Sequence, residues 1–336
     1  MDMTEGFNPT PADAQPRTPE IERKADVVFL LDVDGVVTDP TEKKVVDTAV
    51  FDRMIENLTN GNPVALNTGR SNVWMIDRVI NPLASRITDK SILKNFFAVG
   101  EKGLTWTSFN AEGKLLQGVF NKQGVPVEGY DLSVFLDKET AEHFKTLSDE
   151  AKQIIAKEYS HSTFFDATKK AMVSTEMHDG FNQPQYAAEQ TKFEQELNAI
   201  LDRLGLAHKF RVDPTTIATD IQLTQVDETD ASGKVIAKHH VGKHLGTKRI
   251  LRWLQLNKID PQLYIGVGDS SSDLEMEDEL TKQKKNNLFW YVNPQKPLKE
   301  EQKQDADKKP KQNLRFSKEA YSKGLLEVFS SVKKAA

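Results

Sequence analysis

The stretch Val27–Asp39, VVFLLDVDGVVTD, closes an uncharged, β-branched run with two carboxylates, Asp32 and Asp34, two positions apart. Far downstream, GVGDSSSD delivers a second pair, Asp269 and Asp273, and NTGR places Thr68, Gly69 and Arg70 behind another apolar run. In an open parallel sheet, residues just past the carboxyl ends of strands gather in one crevice. Carboxylates collected there repel, and their simplest neutraliser is a hard divalent cation. Mg2+ favours this setting: a few carboxylates, waters and a phosphate oxygen. With a lysine and a hydroxyl added, the crevice offers cations against the equatorial oxygens of a phosphoryl group and donors to orient it. Asp32, fixed by its strand end, suits nucleophilic attack. Asp34 points to the same side of an extended chain and suits proton transfer to a leaving oxygen and later from water. Gly35 frees the chain to turn away.

These groups need a particular frame. Val27–Leu31 is the continuous apolar run of a strand buried on both faces. AVFDRMIENLTNGN carries Val50, Met54, Ile55 and Leu58 at helical spacing and exits at Asn60–Gly61. PVALNTGR reads as a strand, Trp74–Ile80 as a helix, NFFAVG as a strand, and TKRILRWLQL with LYIGVGD as a helix and strand near the end. Strands alternating with helices predict an α/β fold with a Rossmann-like, doubly wound parallel sheet. Between them, longer charged helices and amphipathic strands such as KKAMVSTEM, HKFRVD and TIATDIQLT read as an inserted α+β domain. The expected division is a disordered N-terminal tail at 1–25, a catalytic core at 26–112 and 241–336, and a cap at 113–240. Turn-rich crossings near Asn110–Lys114 and Asp227–His240 are expected hinges, and KEEQKQDADKKPKQ a solvated loop.

Bulk composition narrows the partners. The 336 residues suit two domains, and 45 Lys+Arg against 50 Asp+Glu give a net charge of −5, so no basic footprint invites nucleic acid. There is no cysteine, which excludes disulfides, thiolate metal sites and a cysteine nucleophile and is compatible with a reducing cytoplasm. No apolar run approaches the ~20 residues that span a membrane. The acidic, Pro/Thr-rich start lacks the basic and apolar regions of a secretory signal.

In chain order, DVDGVVTD, NTGR and GDSSSD resemble the first, second and fourth motifs of the haloacid dehalogenase superfamily of phosphotransferases. The resemblance implies Asp32 as nucleophile and Asp34 as acid/base. It also implies Thr68, with Gly69, as the phosphate holder and an Mg2+ site of Asp32, the Asp34 carbonyl, Asp269 and Asp273. Relatives carry a lysine that begins a helix, with a glycine nearby and an apolar residue seven on. Of Lys238, Lys243 and Lys248, Lys243 meets this with Gly246 and Ile250. Arg70 is either a substrate contact or an anchor for its turn. The long insert is similar to the branch with a large α/β cap, including Cof-like phosphatases, sucrose-phosphate phosphatases and phosphomannomutases. Lys102 and Ser272 stand where many relatives have asparagine.

The expectation is an Mg2+-dependent hydrolase of a small soluble phosphomonoester, a sugar phosphate above others, with no nucleic-acid or membrane partner. A phosphomutase would use the same chemistry. A receiver-like or silent phosphate-binding protein would share the sheet, but receivers are single small domains without the DxDG order or the insert. His239, His240 and His244 lack fixed ligand spacing and read as surface or interdomain residues. Lys169, Lys170 and His178 flank a cap strand and read as solvated.

Overall fold

A computed structural model describes residues 23–305 and 310–332. The N-terminal half runs β1 (Arg23–Leu31), α1 (Ala49–Thr59), β2 (Val64–Asn67), α2 (Asn72–Met75), α3 (Asn81–Ser85), β3 (Phe96–Gly100), β4 (Thr105–Phe109), β5 (Leu115–Phe120) and β6 (Pro126–Glu128). Then come α4 (Lys138–Ile154), β7 (Thr163–Phe165), β8 (Val173–Met177), α5 (Gln183–Arg203), β9 (Phe210–Pro214) and β10 (Ala218–Leu223). The chain returns through β11 (Gln225–Thr229), β12 (Val235–His240), α6 (Lys243–Leu256), β13 (Ile259–Gly268), α7 (Leu274–Lys282), β14 (Asn287–Tyr291), β15 (Leu314–Phe316) and α8 (Tyr321–Val332).

Strand β1 explains the layering. Its alternation sends Phe29 and Leu31 into a core with α1 and α8, through Met54, Leu58, Leu325 and Phe329, and Val28 and Leu30 into another with α6 and α7, through Ile250, Trp253 and Leu280. Each such side chain contributes about 1.5–3 kcal/mol by leaving water. The strand is therefore apolar on both faces, and helices must cover both. The sheet order is β15-β14-β13-β1-β2-β3-β4-β5-β6, parallel from β15 to β3 and antiparallel beyond. The doubly wound core is as expected, with an antiparallel extension that β3 begins.

A second sheet, β7-β8-β10-β9, is wholly antiparallel and packs one face on α4 and α5 through Val173, Ile221, Leu147, Phe193 and Leu197. Asp137 and Asn182 cap these helices, accepting from Thr140 N at 2.7 Å and Gln185 N at 3.0 Å.

Four sequence expectations shift. Residues 115–128 belong to the core sheet, so the chain leaves it after Glu128 and not at 113. The supposed crossing at Asn110–Lys114 is the tight β4–β5 turn, closed by Asn110 N to Lys114 O at 3.0 Å, and joins two strands of one sheet. Asp227–His240 is a paired hairpin, β11–β12, tied to the β5–β6 turn by Thr229 N to Lys122 O at 2.9 Å. In the expected solvated loop, Glu300–Lys303 forms a 3-10 turn and Lys311 ion-pairs with Glu277 and Asp278 on α7. Strand β1 already starts at Arg23, and the remainder of the expected tail lies outside the described residues.

Candidate active site

Three strand ends converge. Asp32 follows β1 and is buried, its N–H donating to Val267 O of β13 at 2.9 Å. The chain then folds back on itself, with the N–H groups of Val36, Val37 and Thr38 converging on Val33 O. Gly35 sits at φ +72, and a Cβ there would lie 2.2 Å from Asp269 Oδ2, so only glycine fits between the two acidic loops. After β13, Asp273 Oδ2 collects Asp269 N (3.2 Å), Ser270 N (3.0 Å) and Ser270 Oγ (2.8 Å), which fixes the second pair.

Carboxylate oxygens of Asp32, Asp269 and Asp273 all lie within 4.8 Å of one another. Lys243, the first residue of α6, reaches into this group: its buried ammonium donates to Asp32 and to Asn67 O (2.7 Å) and stands 2.8 Å from Asp273 Oδ1. Gly246 allows the approach, since a Cβ there would meet Asn67 Oδ1 at 2.0 Å, and Asn67 Nδ2 donates to Lys243 O at 2.8 Å. Lys238 sits on β12, 4.0 Å from Asp227, and Lys248 pairs with Glu279 at 3.5 Å; neither enters the crevice.

One lysine against three carboxylates leaves the crevice short of positive charge. Burial, then Asp273, pushes Asp32 well above the usual carboxylate range despite Lys243. The same two causes push Asp269 up to about 7. Burial alone would lower Lys243, but Asp273 and Asp32 outweigh it and hold the ammonium charged. The oxygen-only donor set and the mutual repulsion fit a hard divalent cation.

Thr68 is buried behind Asn67, its N–H donating to Val99 O (3.0 Å) and its Oγ1 accepting from Arg70 N (3.2 Å). A Cβ at Gly69 would meet nothing nearer than the Lys102 side chain, at 3.5 Å. Asp34 turns its carboxylate to Arg70, which forks onto it with Nε to Oδ2 at 2.8 Å and Nη2 to Oδ1 at 2.9 Å. Arg70 then reaches Glu176 on β8 at 3.3 Å and lies 4.6 Å over the Trp74 ring. Burial opposes its charge, and Asp34 and Glu176 more than restore it. Arg70 is thus an anchor between Asp34 and the cap.

The cap presents a polar sheet face that sequence reasoning missed. Ser174, Glu176, Asp220 and Gln222 are all buried yet oppose the apolar face. Lys169 pairs with Asp220 at 3.2 Å, and Lys102, on the core side at φ 57, ion-pairs with Asp213 and lies 3.5 Å from Asp220. Lys169 is therefore buried in a charge network and not solvated, whereas His178 is half-buried and bonds to Ser160 O at 3.1 Å. The available signal was alternation: STEM and TDIQ place a polar group at every second position of strands that are otherwise buried. A second cap contact is the buried Glu101, whose carboxylate accepts Lys170 N (3.0 Å) and Ala171 N (2.6 Å) from a backbone at φ 47. The histidines form no metal cluster among the described residues; His239 pairs with Glu228, His244 with Glu275 at 3.0 Å, and His240 faces Gln225 at 3.3 Å.

No family model matches the sequence, and no curated protein does. Among solved structures, the IMP-nucleotidase of Plasmodium falciparum is similar at TM-score 0.51 and 13% identity, over 82% of this chain and 67% of that one. Its ATP-bound form gives the same score and identity, and there this chain spans 59% of the other's length, less than two thirds. A trehalose-6-phosphate phosphatase of Aspergillus fumigatus matches at TM-score 0.49 and 12% identity over 92% of this chain and 93% of that one. The likeness to the nucleotidase is one of fold alone. Among the described residues no helix is long and apolar enough to cross a membrane.

Proposed function

We infer that this protein is an Mg2+-dependent phosphomonoesterase acting on a small phosphorylated metabolite. The observation that carries the reading is the meeting of Asp32, Asp269 and Asp273 on one lysine at the ends of β1 and β13. Asp32, Asp269, Asp273 and the Asp34 carbonyl would hold Mg2+, which when bound offsets phosphate charge and neutralises the crevice. Thr68 with the N–H groups around Gly69 receives the remaining phosphate oxygens beside the Lys243 ammonium.

Asp32 attacks phosphorus as the P–O bond to the leaving alkoxide breaks, and Asp34 donates its proton to that oxygen. Asp34 then takes a proton from water as the water oxygen attacks phosphorus, the bond to Asp32 breaks and inorganic phosphate leaves. Both Asp34 oxygens accept from Arg70 in the resting arrangement, and Arg70 also holds Glu176, so this side chain ties the proposed acid/base to the second sheet. Among small phosphomonoesters a sugar phosphate is the substrate that the sequence resemblance favours, and the named substrate of the similar nucleotidase, IMP, is also a small phosphomonoester. The chain's lack of cysteine suits a reducing, cytoplasmic setting.

The test is hydrolysis of an aryl phosphate with Mg2+ and with EDTA, beside Asp32→Asn. Release of free phosphate that stops with EDTA and in the variant supports the reading; unimpaired turnover by Asp32→Asn ends it.

A further inference from the structure

Away from the aspartates, a cavity of about 800 Å³ separates the β11–β12 hairpin from α6 and the start of β13. One wall is apolar, built from Leu251, Leu254 and Tyr264 and overhung by Ile236, which is 59% exposed. The other character comes from α6. Arg249 and Arg252 are three residues apart and so neighbours on one helix face. Arg252 lines the cavity; Arg249, 6% exposed, lies against Gly124, the neighbour of the lining residue Gln123, with its guanidinium 5.0 Å over the Phe120 ring.

Both guanidinium groups have a buried Nε without an acceptor. Burial pushes Arg249 down to about 10, with Glu228 alone acting against it. Arg252 already donates from Nη1 to Gln255 Oε1 at 2.7 Å; of the three carboxylates lining the cavity, Asp260 stands near Tyr264 and the other two are already used. Glu228 is bonded to His239, and Asp230 closes its own turn by accepting from Ser232 N (2.9 Å) and Lys234 N (3.1 Å). Buried cationic nitrogens without partners are costly, and an apolar wall beside them is open to a ligand. Lys285, 5.3 Å over the Tyr264 ring, adds a further cation at the apolar wall.

We propose that this cavity binds an organic anion, a phosphate- or sulfonate-type group on an apolar or aromatic body, with Arg252 and Lys285 taking the charge and Leu251, Leu254, Tyr264 and Ile236 the body. The site is separate from the aspartate crevice, although the hairpin beside it runs into Gly242 and α6, which opens with Lys243. It stands on binding alone, whatever the crevice does.

The probe is 8-anilinonaphthalene-1-sulfonate, titrated into the full chain by calorimetry with fluorescence in parallel. One saturable site is expected, weakened at least about tenfold in Arg252→Glu and in Ile236→Asp and unchanged in Asp32→Asn. Ile236 is exposed, so its substitution leaves the fold intact, and far-UV circular dichroism checks both variants. The absence of saturable binding, binding that survives both substitutions in folded protein, or loss of the site in Asp32→Asn would each overturn the proposal.

Discussion

Two buried charge clusters face each other across the interdomain crevice, and they are balanced differently. In the core, Asp32, Asp269 and Asp273 share one lysine, Lys243. In the cap face, Glu176, Asp213 and Asp220 are met by Lys102, Lys169 and Arg70, the last shared with Asp34. The cap network has a cation at each carboxylate, whereas the core cluster is short of positive charge, the deficit that the proposed metal would meet. Buried polarity alone does not mark function; an unbalanced sum does.

The contrast is broken most severely at Lys243. Replacing it with Met leaves three carboxylates uncompensated, and stability in EDTA should fall by about 3–5 kcal/mol in urea melts, with turnover lost by about a thousandfold or more. An effect on either quantity no larger than that of a surface substitution would show that the core charges are not coupled as described. Next in size is the metal. Saturating Mg2+ at about 100 times Kd should add about 2.7 kcal/mol to the unfolding free energy of the wild type and nothing to Asp269→Asn, as read by thermal shift. Equal stabilisation of both proteins would place the ion elsewhere.

The balanced cluster should respond more mildly. Glu176→Gln keeps the shape but removes a charge from Arg70 and Lys169, at a cost of about 1–3 kcal/mol with Mg2+ affinity unchanged. A lost Mg2+ site in that variant would mean that the two clusters are one. A further effect is in pH. Burial pushes the Glu101 carboxyl up to about 7 from an ordinary 4.5, above its backbone N–H donors and Lys169. The native state therefore holds a proton that the unfolded chain has released, so stability falls as pH rises from 4.5 to 7, and the loss is complete above that window. Glu101→Gln should flatten the melting temperature across this range; an unchanged slope would assign it to other groups.

The same contrast explains what the sequence could disclose. The core cluster was legible because strand ends concentrate its groups in short motifs: Asp32 and Asp34 behind β1, Asp269 and Asp273 behind β13. Lys243 could be chosen because a glycine must follow it to clear Asn67. The cap network is scattered over β8, β9, β10 and three loops, and its partners meet only in the folded chain. Lys169 looked like any solvated lysine, and the pairing that buries it lies 51 residues away at Asp220. The core boundary was misplaced for a related reason: the amphipathic hairpin of β5 and β6 has the texture of the insert, and only its pairing with β4 assigns it to the core.

The central claim is that Asp32 carries the phosphoryl group. Acid quenching during turnover of a phosphorus-labelled aryl phosphate, followed by borohydride reduction and mass spectrometry, tests it directly. The account predicts that Asp32 alone is labelled and reduced to homoserine, and that Asp32→Asn shows neither label nor turnover. Steady turnover with no labelled residue, or label on any other side chain, would contradict it.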